Sequence, residues 1–407
     1  MTRSRFFKYQ IWILLTVMLA TAGCDRREQQ SCRMANEYVV AKTATAPSAL
    51  EVLRLDSTRV AVFWSADGTV SYSVVGNEGI PAAKPMLIEQ STTHQPAPKT
   101  FWSRQKNAVL NAVSLSPIRI SERLVAVAML CHQGQNDAMV VTALLDVTAG
   151  QVRWIQSIGK TGLFVRTVSL TRKDNVLLVG WQNSHTTPQS IMLKALDIET
   201  GKIRGQTHLG DDLAVYGPAL QHNKDATIVV WSKVEKVGNR VQLQSASLNG
   251  DLSPGAINVL DSLELFDAAT NLVPYKDGFA AVYRDNRDGD RTEEFYFTVL
   301  DHTGKKRQAA KRISRADGPQ GPRISPGDAF FFSSAIRSYN NNYLVGFNRF
   351  DRFGTKTGGE FQVYADKCDF VRAGLVTHGD TAVLVYAENA DAGGRILAST
   401  ISCSSTR

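Results

Sequence analysis

The amino-acid sequence predicts an all-β fold, a β-propeller most simply built from seven blades of four antiparallel strands, with six or eight blades as alternatives. A short apolar run that ends in a large side chain occurs seven times, at residues 61–64, 127–129, 179–181, 229–231, 281–283, 345–347 and 384–386. Each interval of 39 to 65 residues is long enough for one four-stranded unit with its loops. A pair of β-sandwiches would not explain one repeat that continues from residue 50 to the C-terminus.

A second feature keeps the same register as the apolar runs. Some 15 to 20 residues after most of them, another apolar strand ends in Asp or Asn followed closely by Gly, at residues 145–150, 196–201, 248–250 and 300–304. Asp and Asn tolerate left-handed backbone and Gly supplies positive φ, so these segments are typical of hairpin turns. Long amphipathic helical patterns are absent. We therefore expect a second strand that carries the aromatic residue and an edge strand after each Asp-Gly turn.

The N-terminus has the layout of a secretory signal peptide. Residues 1–10 carry three positive charges and no acid, and residues 11–20 are almost wholly apolar. Thr21, Ala22, Gly23 and Cys24 follow. The apolar run is shorter than the roughly 20 residues that a membrane-spanning helix needs. We therefore predict that residues 1–23 are removed.

Residues 19–24 (LATAGC) resemble the lipobox of bacterial lipoproteins, in which the cysteine becomes the lipidated N-terminus. The resemblance implies that Cys24 carries the lipid, palmitate included, and anchors the protein to a membrane of the cell envelope. Asp25 resembles an inner-membrane retention signal, which favours the periplasmic face of that membrane, with the outer membrane as the alternative. We expect residues 24–35 to be the lipidated cysteine and a tether, and residues 36–407 to be a single propeller domain.

Parts of the repeats resemble known propeller repeats. Residues 146–154 (DVTAGQVRW) and 197–205 (DIETGKIRG) are similar to the quinoprotein-type repeat, which also builds the propeller lipoprotein of the outer-membrane β-barrel assembly machinery. Trp154 of the first copy is replaced by Gly205 in the second. Residues 282–301 resemble a repeat of secreted bacterial propellers. These resemblances imply the fold, and function has to be argued from a site.

Four cysteines remain after Cys24, and they allow three pairings: Cys32, Cys131, Cys368 and Cys403. The last repeat offers three strands and lacks its edge strand, so the strand near residues 37–42 is expected to fill that place. This pairing would bring Cys403 close to Cys32. We therefore predict a disulfide between Cys32 and Cys403, and a free buried thiol at Cys131.

Motifs of catalysis are missing from the sequence. There is no nucleophile elbow, P-loop or dinucleotide fingerprint, and the seven histidines lack the spacing of metal ligands. Residues 65–69 (SADGT) faintly resemble the Asp-box turn of sialidases, but an ordinary Asp-Gly hairpin turn is the simpler interpretation. The net charge of +8 is dispersed along the chain, which argues against nucleic acid. We expect no catalytic residue, no metal and no cofactor.

The sequence thus favours a lipid-anchored envelope protein with a protein partner, and a non-enzymatic binding or scaffold propeller over an enzyme. One alternative is a carbohydrate-binding or glycan-cleaving propeller, and another is a scaffold of outer-membrane protein assembly. Loops at residues 284–292 and 348–359 are expected to meet on one face, because second-to-third-strand loops of neighbouring blades emerge together. Arginine and aromatic side chains are enriched at binding hot spots. The candidate partner-binding residues are Arg284, Arg287, Arg349, Phe350, Arg352 and Phe353. In the competing interpretation both phenylalanines pack onto their own blade.

Overall fold

The computed structural model describes residues 32–76, 86–87, 111–133, 137–162, 165, 167–184, 189–212, 215–234, 241–264, 270–286, 294–315, 323–327, 330–339, 342–357, 361–363, 369–379, 381–390 and 393–403. Within these ranges the chain forms 28 strands and no helix, so none of the described segments is a helix long and apolar enough to cross a membrane. The strands form seven four-stranded antiparallel sheets. The protein is a seven-bladed β-propeller, which confirms the predicted fold class.

Blade 1 contains β2 (Ala49–Arg54), β3 (Arg59–Ala66), β4 (Thr69–Gly76) and β5 (Met86–Leu87). Blade 2 contains β6 (Asn111–Arg119), β7 (Leu124–Gln133), β8 (Asp137–Asp146) and β9 (Gln151–Gly162). Blade 3 contains β10 (Val168–Lys173), β11 (Val176–Asn183), β12 (Gln189–Asp197) and β13 (Ile203–Asp212). Blade 4 contains β14 (Val215–Asn223), β15 (Ala226–Val234), β16 (Val241–Ser247) and β17 (Asn258–Leu263).

Blade 5 contains β18 (Asn271–Tyr275), β19 (Gly278–Asp285), β20 (Glu294–Leu300) and β21 (Lys311–Arg315). Blade 6 contains β22 (Arg323–Pro326), β23 (Phe330–Tyr339), β24 (Asn342–Asp351) and β25 (Phe361–Val363). Blade 7 contains β26 (Asp369–His378), β27 (Thr381–Ala390) and β28 (Gly393–Cys403), with β1 (Cys32–Thr43) as its outermost strand.

The two ends of the chain share blade 7. β1 pairs antiparallel with β28, and the Cα partners run from Cys32 with Cys403 to Thr43 with Gly394. We expected this strand pairing because the last repeat of the sequence lacks its own edge strand. β1 begins at Cys32, so the strand takes in the last four residues of the segment expected to be a tether.

Apolar side chains lie between neighbouring blades, because each sheet buries both of its faces. The aromatic residues that end the apolar runs on second strands are at most 3% exposed: Trp64, Trp181, Trp231, Tyr283 and Tyr386. Between blades 3 and 4, for example, Trp231 packs in one cluster with Leu193 and Leu209. The repeat in the sequence is therefore the repeat of the interblade core.

Strand alternation gives the ring two different faces. Turns between first and second strands and between third and fourth strands emerge on one side, which we call the turn face. Loops between second and third strands, and the links between blades, emerge on the other side, which we call the loop face. This follows from the antiparallel order of every sheet.

Blade 6 departs from the strand order that the sequence predicts. The apolar run at residues 345–347 lies on the third strand, β24, whereas the other six runs lie on second strands. β24 continues to Asp351, so residues 348–351 are strand and not the start of a loop. Residues 351–354 form a tight turn on the turn face.

Neighbouring first strands are joined by side chains. The hydroxyl oxygens of Ser116 and Ser169 accept hydrogen bonds from the backbone N–H groups of Leu170 and Leu220, at 2.9 and 2.8 Å. At the turn face, Nη1 of Arg119 donates to the carbonyl of Leu55 and Nη1 of Arg172 donates to the carbonyl of Ile120, both at 2.5 Å. These bonds connect blades 1 to 4 around the axis.

Candidate functional site

The first strands of all seven blades line a central channel. Its cavity has a volume of about 720 Å³, and β2, β6, β10, β14, β18, β22 and β26 all contribute to its wall. Three second-strand residues also line it: His132, Ser232 and Arg284. Each lies within two residues of the end of its strand, and second strands end at the loop face. These polar side chains therefore lie near the opening of the channel on the loop face.

The charged groups of the channel are mostly cationic. Among the described lining residues, Arg284, Arg323 and Arg372 are opposed by one carboxylate, that of Glu51. Three guanidinium groups that line one cavity together with a single carboxylate produce a positive potential that attracts anions. In the same described part of the chain, no three His, Cys, Asp or Glu side chains gather as metal ligands would.

Closure of the ring brings these side chains together from distant parts of the chain. Nη2 of Arg323, at the start of β22, donates a hydrogen bond to Oε1 of Glu51 on β2. The side chain of Glu51 is 19% exposed and that of Arg323 is 30% exposed. Arg372 is oriented by the backbone, since its Nε and Nη2 donate to the carbonyl of Ser48 at 3.0 and 2.8 Å.

The pKa values of the cluster reflect burial first and the neighbouring charges second. Burial raises the pKa of Glu51, although Arg323 and Arg372 act in the opposite direction. Burial lowers the pKa of Arg372, and the nearby Arg323 lowers it further, while Glu51 partly offsets both. One carboxylate thus does not neutralise the two guanidinium groups beside it. A second anion between Arg323 and Arg372 would relieve their repulsion.

Uncharged polar side chains complete the wall. They include Ser114, Ser116, Ser169, Gln221 and Asn271 on four first strands. A serine oxygen that accepts a backbone hydrogen bond still keeps its own O–H as a donor. The channel can therefore hydrogen-bond a ligand that carries several hydroxyl groups.

The predicted site residues occupy separate places. Cys24 and Arg287 lie outside the described residues. Cys32 and Cys403 are cross-strand partners in their backbones, and their side chains lie outside the described part. Arg284 lines the channel. Cys131 is free and 1% exposed, and burial raises the pKa of its thiol to about 12.

The residues predicted around position 350 do not meet the loop at 284–292. β19 ends at Asp285 on the loop face, whereas the turn after Asp351 lies on the opposite face, and residues 287–292 lie outside the described part of the chain. Phe350 is 1% exposed and packs in the core between blades 5 and 6. Arg349 is 3% exposed, with its Nε donating to Oγ1 of Thr357 at 3.2 Å. The expectation of one continuous partner surface is therefore wrong.

Arg352 and Phe353 do lie at the surface. Phe353 is 56% exposed, and the guanidinium carbon of Arg352 lies 4.7 Å from the centroid of its ring. The competing interpretation, in which both phenylalanines pack onto their own blade, therefore describes Phe350 only.

The channel residues Glu51, Arg323 and Arg372 were missed by the sequence analysis. Glu51 and Arg323 are 272 positions apart. The available signal was their location on first strands, which follow the links between blades. The sequence repeat lies on second and third strands, so it gives no indication of residues on the inner strands.

No protein-family model matches the chain, and no curated protein matches it. Solved structures with a similar fold include a prolyl endopeptidase (13% identity, 98% of this chain and 52% of that one, TM-score 0.48) and a puromycin hydrolase (14% identity, 86% and 51%, TM-score 0.49). A Trypanosoma rangeli sialidase bound to the inhibitor DANA is 8% identical over 70% of this chain and 54% of that one, with a TM-score of 0.46. The chain spans about half the length of these three structures.

These comparisons do not support the expected function. The sequence favoured a non-enzymatic binding or scaffold module, whereas the propellers that share the fold belong to peptidases, a hydrolase and a sialidase. At such identities the likeness concerns the fold alone. Function must therefore be argued from the channel itself.

Proposed function

We propose that the central channel binds an acidic carbohydrate, a sugar that carries a carboxylate. The observation that carries this proposal is the charge of the channel, where Arg284, Arg323 and Arg372 face the single carboxylate of Glu51 among the described lining residues. Arginine offers a planar fork of donors that matches a carboxylate. The sugar's carboxylate pairs with Arg323 and Arg372.

The rest of the channel supports a sugar over a simple anion. The cavity of about 720 Å³ lies within the range of roughly 300–1,000 Å³ that small-molecule sites occupy. The side chains of Ser114, Ser116, Ser169, Gln221 and Asn271 offer hydrogen bonds to hydroxyl groups. A ligand with one carboxylate and several hydroxyls pairs with the arginines and hydrogen-bonds to these uncharged polar side chains.

Isothermal titration calorimetry with glucuronate tests the proposal, with glucose as the neutral control. We expect glucuronate to bind and glucose to bind at least tenfold more weakly. The double variant Arg323→Gln/Arg372→Gln should lose glucuronate binding, whereas Arg352→Gln, which removes an exposed arginine on the turn face, should retain it. Equal heats for both sugars, or binding that survives the double variant, would refute the proposal.

Glycan cleavage is a second candidate, and Glu51 is the observation that favours it. A mostly buried carboxyl with a raised pKa is suited to donate a proton to a leaving group. Glycosidases usually use two carboxyl groups, and Glu51 is the only one among the described lining residues, so binding is the function proposed first. Release of fluorophore from 4-methylumbelliferyl glucuronide by the protein, abolished in Glu51→Gln, would establish cleavage.

The membrane location belongs to the same proposal. The lipobox-like segment that ends at Cys24 supports a lipid anchor, and Asp25 supports the periplasmic face of the inner membrane. Membrane attachment would hold the channel near envelope glycans and protein partners. Metabolic labelling with palmitate tests the anchor, which Cys24→Ser should abolish, and sucrose-gradient separation of the two membranes tests the location.

A further inference from the structure

Blades 2 and 3 are joined by a tryptophan that rests on a glycine. The indole of Trp154, on β9, lies over Gly201 in the turn of blade 3, where an added Cβ would meet ring atoms at 2.9 and 3.0 Å. Its Nε1 donates a hydrogen bond of 2.9 Å to the carbonyl of Ile198. The outer strand of one blade thus holds the third-to-fourth-strand turn of the next.

The same place between blades 3 and 4 has no tryptophan. Trp154 pairs with Leu144 on the third strand of its blade, and Gly205 pairs with Ala195 on the third strand of blade 3. Trp154 and Gly205 both lie eight residues after the aspartate that opens their turn, Asp146 and Asp197 respectively. An added Cβ on Gly205 would meet no atom within 4 Å.

A cavity of about 460 Å³ occupies this position, and we call it the 205 cleft. Gly205 and Ala195 line it from blade 3, and Gly250 and Leu252 line it from the turn of blade 4. Leu252 packs in one buried cluster with Leu178 and Ala195. An added Cβ on Gly250 also meets nothing within 4 Å, so both walls remain open.

The rim of the 205 cleft is polar and balanced in charge. Its charged lining residues are two cations and two anions: Lys173, Arg204, Asp174 and Asp251. The floor at Leu178, Ala195 and Leu252 is apolar. An apolar floor inside a neutral polar rim suits an uncharged aromatic ring better than an ion.

We propose that the 205 cleft is a docking site for a tryptophan side chain supplied by a partner protein. The interface between blades 2 and 3 supplies the template, since an indole there occupies the corresponding position and donates a hydrogen bond to the next blade. The cleft lies on the turn face, whereas the cationic groups of the channel lie near the loop face. This inference is therefore independent of the proposed sugar site.

Ligand-observed NMR with N-acetyl-tryptophanamide tests the docking site, with N-acetyl-leucinamide as the control probe. We expect saturation transfer to the indole protons and at least about a tenfold weaker effect for the leucine probe. Gly205→Trp should abolish the tryptophan signal, because the protein then fills its own cleft. Gly205→Ala is the matched control and should bind within about twofold of the unsubstituted protein.

Gly250→Trp blocks the cleft from the opposite wall and serves if Gly205→Trp does not fold, as judged by its thermal transition. Loss of binding in either folded tryptophan variant supports the site. No saturation transfer from the unsubstituted protein to the indole protons, or equal transfer from a folded blocking variant, overturns it.

Discussion

Phe350 stacks on Phe331 with ring centroids 5.8 Å apart and planes inclined by 16°. The edge of Phe297, from the neighbouring blade, meets Phe350 at a centroid distance of 5.0 Å. Three rings from two blades therefore form one contact. Phe353, three residues later, is 56% exposed.

Two single substitutions separate these phenylalanines. Phe350→Ser should lower the free energy of unfolding by roughly 3–5 kcal/mol, as large-to-small changes of buried aromatics do. Phe353→Ser should change it by less than about 0.5 kcal/mol, as is usual at exposed positions. Chemical denaturation followed by tryptophan fluorescence measures both. Equal losses in the two variants would contradict the packing described.

The position of Phe350 could have been predicted from a repeat that the sequence contains. Asp301 and Gly304 close the turn after β20, with the N–H of Gly304 donating to the carbonyl of Asp301 at 3.1 Å. Asp351 and Gly354 form the same bond at 3.0 Å after β24. Aligning these two turns makes Phe350 equivalent to Leu300, since each is the last residue before the turn that follows a third strand. The apolar run at 345–347 was misleading because β24 is also buried.

Local patterns predicted the blades but not the channel. Six of the seven apolar runs lie on second strands, because burial between two sheets requires an apolar run at each such strand. Glu51 and Arg323 carry no comparable pattern, since each is one polar residue on a short strand. Their proximity depends on closure of the whole ring, because the two residues are 272 positions apart in the chain. Sequence spacing contains no direct signal for such a meeting.

Asp67 should make the closure of the ring dependent on pH. Its carboxylate accepts hydrogen bonds from the N–H of Ala44 at 2.9 Å, and from the N–H and hydroxyl of Thr45 at 2.8 Å each. These residues connect blade 7 to blade 1. Burial alone would raise the pKa of Asp67, but the hydrogen bonds outweigh it and the pKa is lowered.

A group whose pKa is lowered by folding stabilises the protein above its unfolded pKa, and this stabilisation is lost as the pH falls through the folded value. Asp67→Asn keeps a residue that tolerates the observed φ of 54°. We expect Asp67→Asn to be less stable by roughly 1 kcal/mol at pH 7, because the group is exposed. The difference in unfolding free energy between the variant and the unsubstituted protein should narrow below about pH 3.9. Urea denaturation at several pH values measures this difference, and a difference that stays constant with pH would contradict the role of the charge.

The register of blade 7 predicts a disulfide. Cys32 and Cys403 are directly opposed Cα partners at the ends of β1 and β28. A bond there would close a loop of nearly the whole domain, with stabilisation of roughly 3 kcal/mol or more. Mass spectrometry after non-reducing proteolysis should detect a peptide that links Cys32 to Cys403. A peptide that links Cys32 to Cys368 would contradict the prediction.

Glu51→Gln should strengthen glucuronate binding. The carboxylate of Glu51 occupies Arg323 and competes with the ligand, so its removal frees that guanidinium group. For the same reason, the affinity of the unsubstituted protein should rise as the pH falls through the raised pKa of Glu51. Calorimetry at several pH values measures both effects. Weaker binding by Glu51→Gln would mean that Glu51 contacts the sugar favourably.

The most direct test of the proposed sugar site is a crystal structure of the protein with glucuronate. We expect electron density for the sugar in the central channel, with its carboxylate within hydrogen-bond distance of the guanidinium groups of Arg323 and Arg372. A channel without sugar at a concentration that saturates binding in calorimetry, or a sugar bound on the outer surface of the blades, would contradict it.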